Sequence, residues 1–177
     1  MDYALTAGTV DVQYDDGQQR ATAALVVCGE LTFSSVVSEH VARISRIEPY
    51  EAGRLYKREL PCIQAVLALG PQLELLMVDG YATLDPQGRP GLGAHAADAL
   101  GIPVIGVAKT PFHTATHATP VVRGSASRPV YVTAAGGLGI EEAARIVAAM
   151  EGPFRLPAAL ARVDKLARER VQPRTGA

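Results

Sequence analysis

The hydrophobic period of this chain changes once, near residue 50, and that change restricts the possible folds more than any other feature. Upstream, residues 4–14 and 20–28 are β-rich runs joined by Asp15-Asp16-Gly17-Gln18. Asp-Gly between two such runs is a strong hairpin signal. A third run, 32–44, sets Val36, Val37, Val41 and Ile44 among polar residues. Three consecutive strands with short joints predict an antiparallel meander.

Downstream the spacing turns helical. Residues 51–69 place Leu55, Tyr56, Leu60, Ile63, Val66 and Leu67 near a helical repeat, with Pro61 as a kink or restart. Residues 73–78 form a continuous apolar run ending at Asp79-Gly80, the pattern of a strand buried on both faces. A small-residue helix over 90–100 closes at Gly101, and 103–107 reads as another buried strand. The Thr-, Pro-, His- and Ser-rich stretch 110–128 predicts loop, and 129–133 a last strand. Helices follow over 140–150 and 157–170, the second basic on its outer face, and the tail after Val171 is expected to fray. The 177 residues fit one domain, 1–177, and period alone supports a mixed α/β class.

Composition narrows function by exclusion. A formal charge of −1 argues against a generally DNA-coating protein and leaves room only for a local basic face. With no Trp and 3 Phe, a sequence-tolerant stacking platform for single strands is not expected. Cys28 and Cys62 sit in apolar segments without CxxC spacing and read as buried thiols of a reducing compartment. No apolar run approaches the length of a membrane span and no signal pattern opens the chain, so a cytoplasmic protein is expected, a monomer being favoured.

Three acids occupy informative places. Asp11 lies between Val10 and Val12 inside the first strand, Asp79 ends the fourth, and Glu59 sits in the intervening helix after Lys57-Arg58. If the first and fourth strands are neighbours, Asp11 and Asp79 meet at one sheet edge with Glu59 above them. Carboxylates so close raise one another's pKa unless a cation neutralises them, and Mg²⁺ prefers such oxygen ligands. Read from spacing alone, a joint metal site and separately solvated acids both stay open. An acid amid valines does need a partner, whereas Glu59 beside basic residues does not.

The motifs then converge on one family. Pro49-Tyr50-Glu51-Ala52-Gly53 through Tyr56-Lys57-Arg58-Glu59, Met77-Val78-Asp79-Gly80, Gly91-Leu92-Gly93-Ala94-His95 and Pro103-Val104-Ile105-Gly106-Val107-Ala108-Lys109 resemble, in order, the blocks of endonuclease V. Pro129-Val130-Tyr131-Val132-Thr133 and Phe154-Arg155-Leu156-Pro157 resemble two more. The resemblance implies a ribonuclease H-like fold, with a mixed five- to six-stranded sheet flanked by helices. It implies cleavage of DNA or RNA near inosine or other deaminated bases, at the second phosphodiester on the 3′ side, with Mg²⁺ or Mn²⁺. By the same resemblance Asp11, Glu59 and Asp79 are catalytic acids and metal ligands, and Lys109 is a catalytic lysine. Tyr50 matches the strand-separating wedge, Gly80 the extruded-base pocket, and Arg58 and His95 are further candidate contacts to nucleic acid.

Departures from the family pattern suggest an alternative, a catalytically weak or inactive module that binds nucleic acid or a nucleotide. Asp85 stands where the family has histidine, and its final acid falls on Gly139, with Glu141 or Glu142 as displaced substitutes that also suit a helix first turn. The wedge carries Glu51-Ala52, the connection 110–128 is short, and no helix precedes the first strand. Arg43, Arg46, Arg54, Lys57 and Arg58 flank the wedge and read equally as phosphate contacts or a solvated basic face. His113 and His117 have helical metal spacing inside a stretch that predicts loop, and the basic residues of the last helix read as solvated.

Overall fold

The computed structural model describes residues 5–171. Strands β1 (Ala7–Asp15), β2 (Arg20–Cys28) and β3 (Val36–Ile44) form the predicted meander. The hairpin loop needs one left-handed residue, and it is Gln19 (φ 51°) rather than Gly17. Helix α1 (Leu55–Leu67) starts later than the period predicts, because Gly53 takes φ 76°, which no helix accommodates. It runs uninterrupted through Pro61. Then come β4 (Leu75–Asp79), α2 (Leu92–Leu100), β5 (Val104–Ala108), β6 (Thr119–Val121), β7 (Val130–Ala135), α3 (Ile140–Ala149) and α4 (Ala158–Val171). Gly101 closes α2 in the left-handed conformation, as its position predicts.

The sheet order is β3-β2-β1-β4-β5-β7-β6. β1, β4 and β5 run parallel, and β7 and β6 add on antiparallel. Seven strands replace the expected five to six. The addition is β6, three residues within the stretch that predicts loop, and its Pro120 is tolerated because β6 is an edge strand.

Strand alternation separates two cores. Leu25, Val27, Leu76, Val78 and Val104 pack under α1 and α2 with Ile63, Val66 and Ala96. Val26, Met77, Ile105, Val107 and Val132 pack under α3 and α4 with Val147, Val163 and Ala167. β4 thus contributes to both, which is why its sequence is a continuous apolar run. Gly93 and Gly106 permit close approach: a Cβ on Gly93 would meet Ala82 Cα at 2.7 Å, and one on Gly106 would meet Gly80 O at 2.6 Å. Both cysteines are buried and unpaired. Among the described residues no helix is long and apolar enough to cross a membrane. The expected frayed tail after Val171 lies outside the described residues.

Candidate active site

The parallel ladder between β1 and β4 ends at Val10↔Val78, so the next residues, Asp11 and Asp79, emerge side by side. Ligand crevices of open α/β sheets form at such carboxyl ends of parallel strands. Leu75 and Met77 of β4, and Ile105 and Val107 of β5, face the α3–α4 layer. Asp79 and Lys109 continue that alternation onto the same side. There Asp11, Asp79, Lys109 and, from α4, Asp164 line one pocket of about 140 Å³, walled by Leu156, Leu160 and Val163. Lys109 Nζ lies 3.4 Å from Asp79 Oδ2, both side chains half-exposed.

Asp164 is the acid that reading the sequence missed. Its signal was its place beside the inward stripe Leu160, Val163, Leu166 and Ala167, since an acid bordering a buried stripe faces something polar. The basic residues around it made the helix read as wholly solvated. The third acid of the pocket therefore comes from α4. Gly139 is the N-cap of α3, and Glu141 and Glu142 occupy that helix's first turn. None of the three lines the pocket.

Electrostatics favour a cation here. Burial raises the Asp11 carboxyl from 3.8 to about 6; a hydrogen bond from Gln13 opposes this, and the charges of Asp164 and Asp79 add to it. Burial raises Glu59 from 4.5 to about 7, with Asp11 and Asp79 adding and Arg58 opposing. Glu59 thus feels both strand-end acids across the sheet edge, although it stands outside the pocket lining.

The carboxylates are held by N–H donors. Gln13 Nε2 donates to Asp11 Oδ2 at 2.8 Å and to Asp164 Oδ1 at 3.3 Å. Arg168 Nε sits 3.0 and 2.9 Å from the two Asp164 oxygens. Among the described residues no three His, Cys, Asp or Glu side chains converge on one ion position. The cause is visible: each acid of the pocket is turned toward an amide, guanidinium or ammonium. The set nevertheless fits a hard divalent cation, being all oxygen donors, anionic and partly desolvated.

The remaining predicted residues are placed as follows. Tyr50 is 67% exposed ahead of α1, a position open to a partner. Gly80 takes φ 114°, and a Cβ there would meet nothing within 4 Å, so its backbone borders open space. His95 stacks on Tyr56 with ring centroids 3.6 Å apart, joining α2 to α1. Arg58 corrects an expectation: it is 6% exposed, lies 4.0 Å over the Tyr14 ring and pairs with Asp16, so its guanidinium serves the interior. Asp85 accepts a hydrogen bond from Arg89 N at 3.0 Å within its own turn and does not line the pocket. His113 and His117 lie in loop, His117 Nε2 bonding Thr83 Oγ1 at 2.7 Å.

Comparison with known proteins agrees with this arrangement. A family model described as Endonuclease V matches residues 2–128. The endonuclease V of Streptomyces coelicolor is 37% identical, covering 90% of this chain and 76% of that protein. The Streptomyces avermitilis endonuclease V is 32% identical over 94% of this chain and 80% of its own length. A crystal structure of endonuclease V from S. avermitilis superposes with TM-score 0.79 at 29% identity, over 94% of this chain and 81% of that one. The fold also matches, with TM-score 0.82 and 20% identity over 97% of this chain and 87% of the other, Ciona intestinalis endonuclease V in complex with a 23-mer DNA containing an inosine followed by a ribo-adenosine.

Proposed function

Because the chain belongs to the endonuclease V family and is an endonuclease of that type, we propose that it hydrolyses DNA or RNA beside inosine or another deaminated base, at the second phosphodiester on the 3′ side, with Mg²⁺ or Mn²⁺. The observation that carries this reading is one pocket, at the carboxyl ends of parallel strands, that gathers Asp11, Asp79, Asp164 and Lys109. The inosine-bearing DNA held by the Ciona relative supports the substrate class.

Asp11 and Asp79, with Asp164, would hold the divalent ion. When bound, such an ion supplies neutralising charge and a water of lowered pKa. Glu59, raised to about 7, is split between its two forms near neutrality and suits proton exchange with the attacking water. Lys109, transferred from Asp79 to substrate, would offset negative charge developing on the phosphate. Exposed Tyr50 would insert beside the lesion while the backbone at Gly80 received the extruded base, with His95 and Tyr56 as a stacked wall behind it. Extrusion costs least where the base is already mispaired, which favours deaminated sites.

The test is cleavage of end-labelled inosine-containing DNA and RNA with Mg²⁺ or Mn²⁺, beside an Asp79→Ala control. A single nick at the stated linkage, absent from the control, is expected. Tight binding without nicking under either ion would sink the hydrolytic reading and leave a binding module.

A further inference from the structure

Beyond the acids themselves, the pocket contains one neutral side chain that touches two of them. Gln13 follows Asp11 by two residues on β1, so both side chains leave the same face of the sheet. A single amide nitrogen carries two protons, and here they go to different carboxylates, Asp11 Oδ2 at 2.8 Å and Asp164 Oδ1 at 3.3 Å. We propose that Gln13 is a positioning residue of the ion site, holding the carboxylates of β1 and α4 together so that a divalent cation meets them already paired. The proposal rests on reading these acids as ion ligands.

Two like charges in one partly desolvated pocket repel, and each has somewhere else to go. Asp164 has Arg168, which reaches both its oxygens at 3.0 and 2.9 Å from the exposed side. Without the amide, Asp164 is left to that guanidinium, and Asp11 loses its only hydrogen-bond donor among the described side chains. With the amide, each carboxylate still keeps lone pairs free for a cation. The work of bringing two anions together is thus done in folding rather than at ion binding. Outer-shell partners of this kind change metal affinity by about 10- to 100-fold when removed.

A plainer role would be to fasten α4 to the sheet. The helix is already fastened without it. Leu160, Val163, Leu166 and Ala167 are buried in the core, and Arg162 Nε and Nη2 grip the Glu39 carboxylate of β3 at 2.6 and 2.8 Å.

The experiment is calorimetric titration of Mn²⁺ into the full chain without nucleic acid, for wild type, Gln13→Leu, Gln13→Met and Arg162→Ala. Melting in chelator is recorded alongside. The two Gln13 variants should bind Mn²⁺ about 10- to 100-fold more weakly while melting near wild type. Arg162→Ala should lower the melting temperature and leave Mn²⁺ affinity alone. Unchanged affinity in folded Gln13 variants overturns the assignment. Tighter binding overturns it too, since the amide would then be a competitor for the ligand oxygens. A wild-type chain that takes up no Mn²⁺ overturns the ion site itself, and that failure is distinct because it appears before any substitution.

Discussion

Replacing Asp11 with Asn should abolish cleavage and yet make the metal-free protein more stable. Burial, with help from Asp164 and Asp79, moves the Asp11 carboxyl from 3.8 to about 6. A raised carboxyl binds its proton more tightly folded than unfolded, so its contribution to stability is complete below pH 3.8 and lost as pH climbs through about 6. At 1.36 kcal/mol per pH unit, holding this group ionised above pH 6 costs the fold about 3 kcal/mol. Asparagine has nearly the same shape and its oxygen can still accept from Gln13, so the substitution removes chiefly the charge. Glu59, whose second cause of elevation is Asp11, should drop from about 7 at the same time and add to the gain. Urea unfolding in chelator at pH 4, 6 and 8 measures the effect. Asp11→Asn should match wild type near pH 4 and exceed it by about 2–3 kcal/mol at pH 8. A variant no more stable than wild type at pH 8, or a difference that does not grow with pH, refutes the electrostatic account of the pocket. Such a trade of stability for function is usual where charges are assembled for chemistry.

Lys109→Met should lower the cleavage rate by about 10²- to 10³-fold with a small change in binding, read from single-turnover kinetics. Arg58→Ala should cost about 2–3 kcal/mol of stability through lost packing on Tyr14, while leaving the salt dependence of nucleic-acid binding unchanged. A fall of about one in the log–log salt slope would instead return Arg58 to the phosphate-contacting set. Tyr50→Ala should leave the melting temperature unaltered, because the ring is 67% exposed, and should slow cleavage of duplexes far more than of single strands carrying the same lesion. Gly106→Ala should destabilise by about 1–3 kcal/mol in thermal unfolding, because its Cβ would press on Ala82 N at 2.5 Å and Gly80 O at 2.6 Å.

Much of this molecule was legible before any coordinate. Apolar period alone separated the meander from the helical half, marked β4 as buried on both faces, and placed the end of α2 at Gly101. These are local properties, because a residue's neighbours two to four positions away decide which face it turns inward. Motif resemblance added Asp11, Asp79 and Lys109, and the structure brings those three into one pocket. Arg58 was misjudged because a guanidinium beside exposed basic residues looks solvated until the Tyr14 ring beneath it is known. β6 escaped because three residues are too few to show a period.

Tertiary structure alone decided which acids meet. The parallel pairing of β1 with β4 sets Asp11 beside Asp79, and the docking of α4 brings Asp164 to Gln13 from 151 residues away in the chain. A polar side chain has no periodic signature of its own, so nothing in its neighbourhood says what it will face. That is settled when two apolar stripes, remote in sequence, close on each other and carry the charges at their borders into contact.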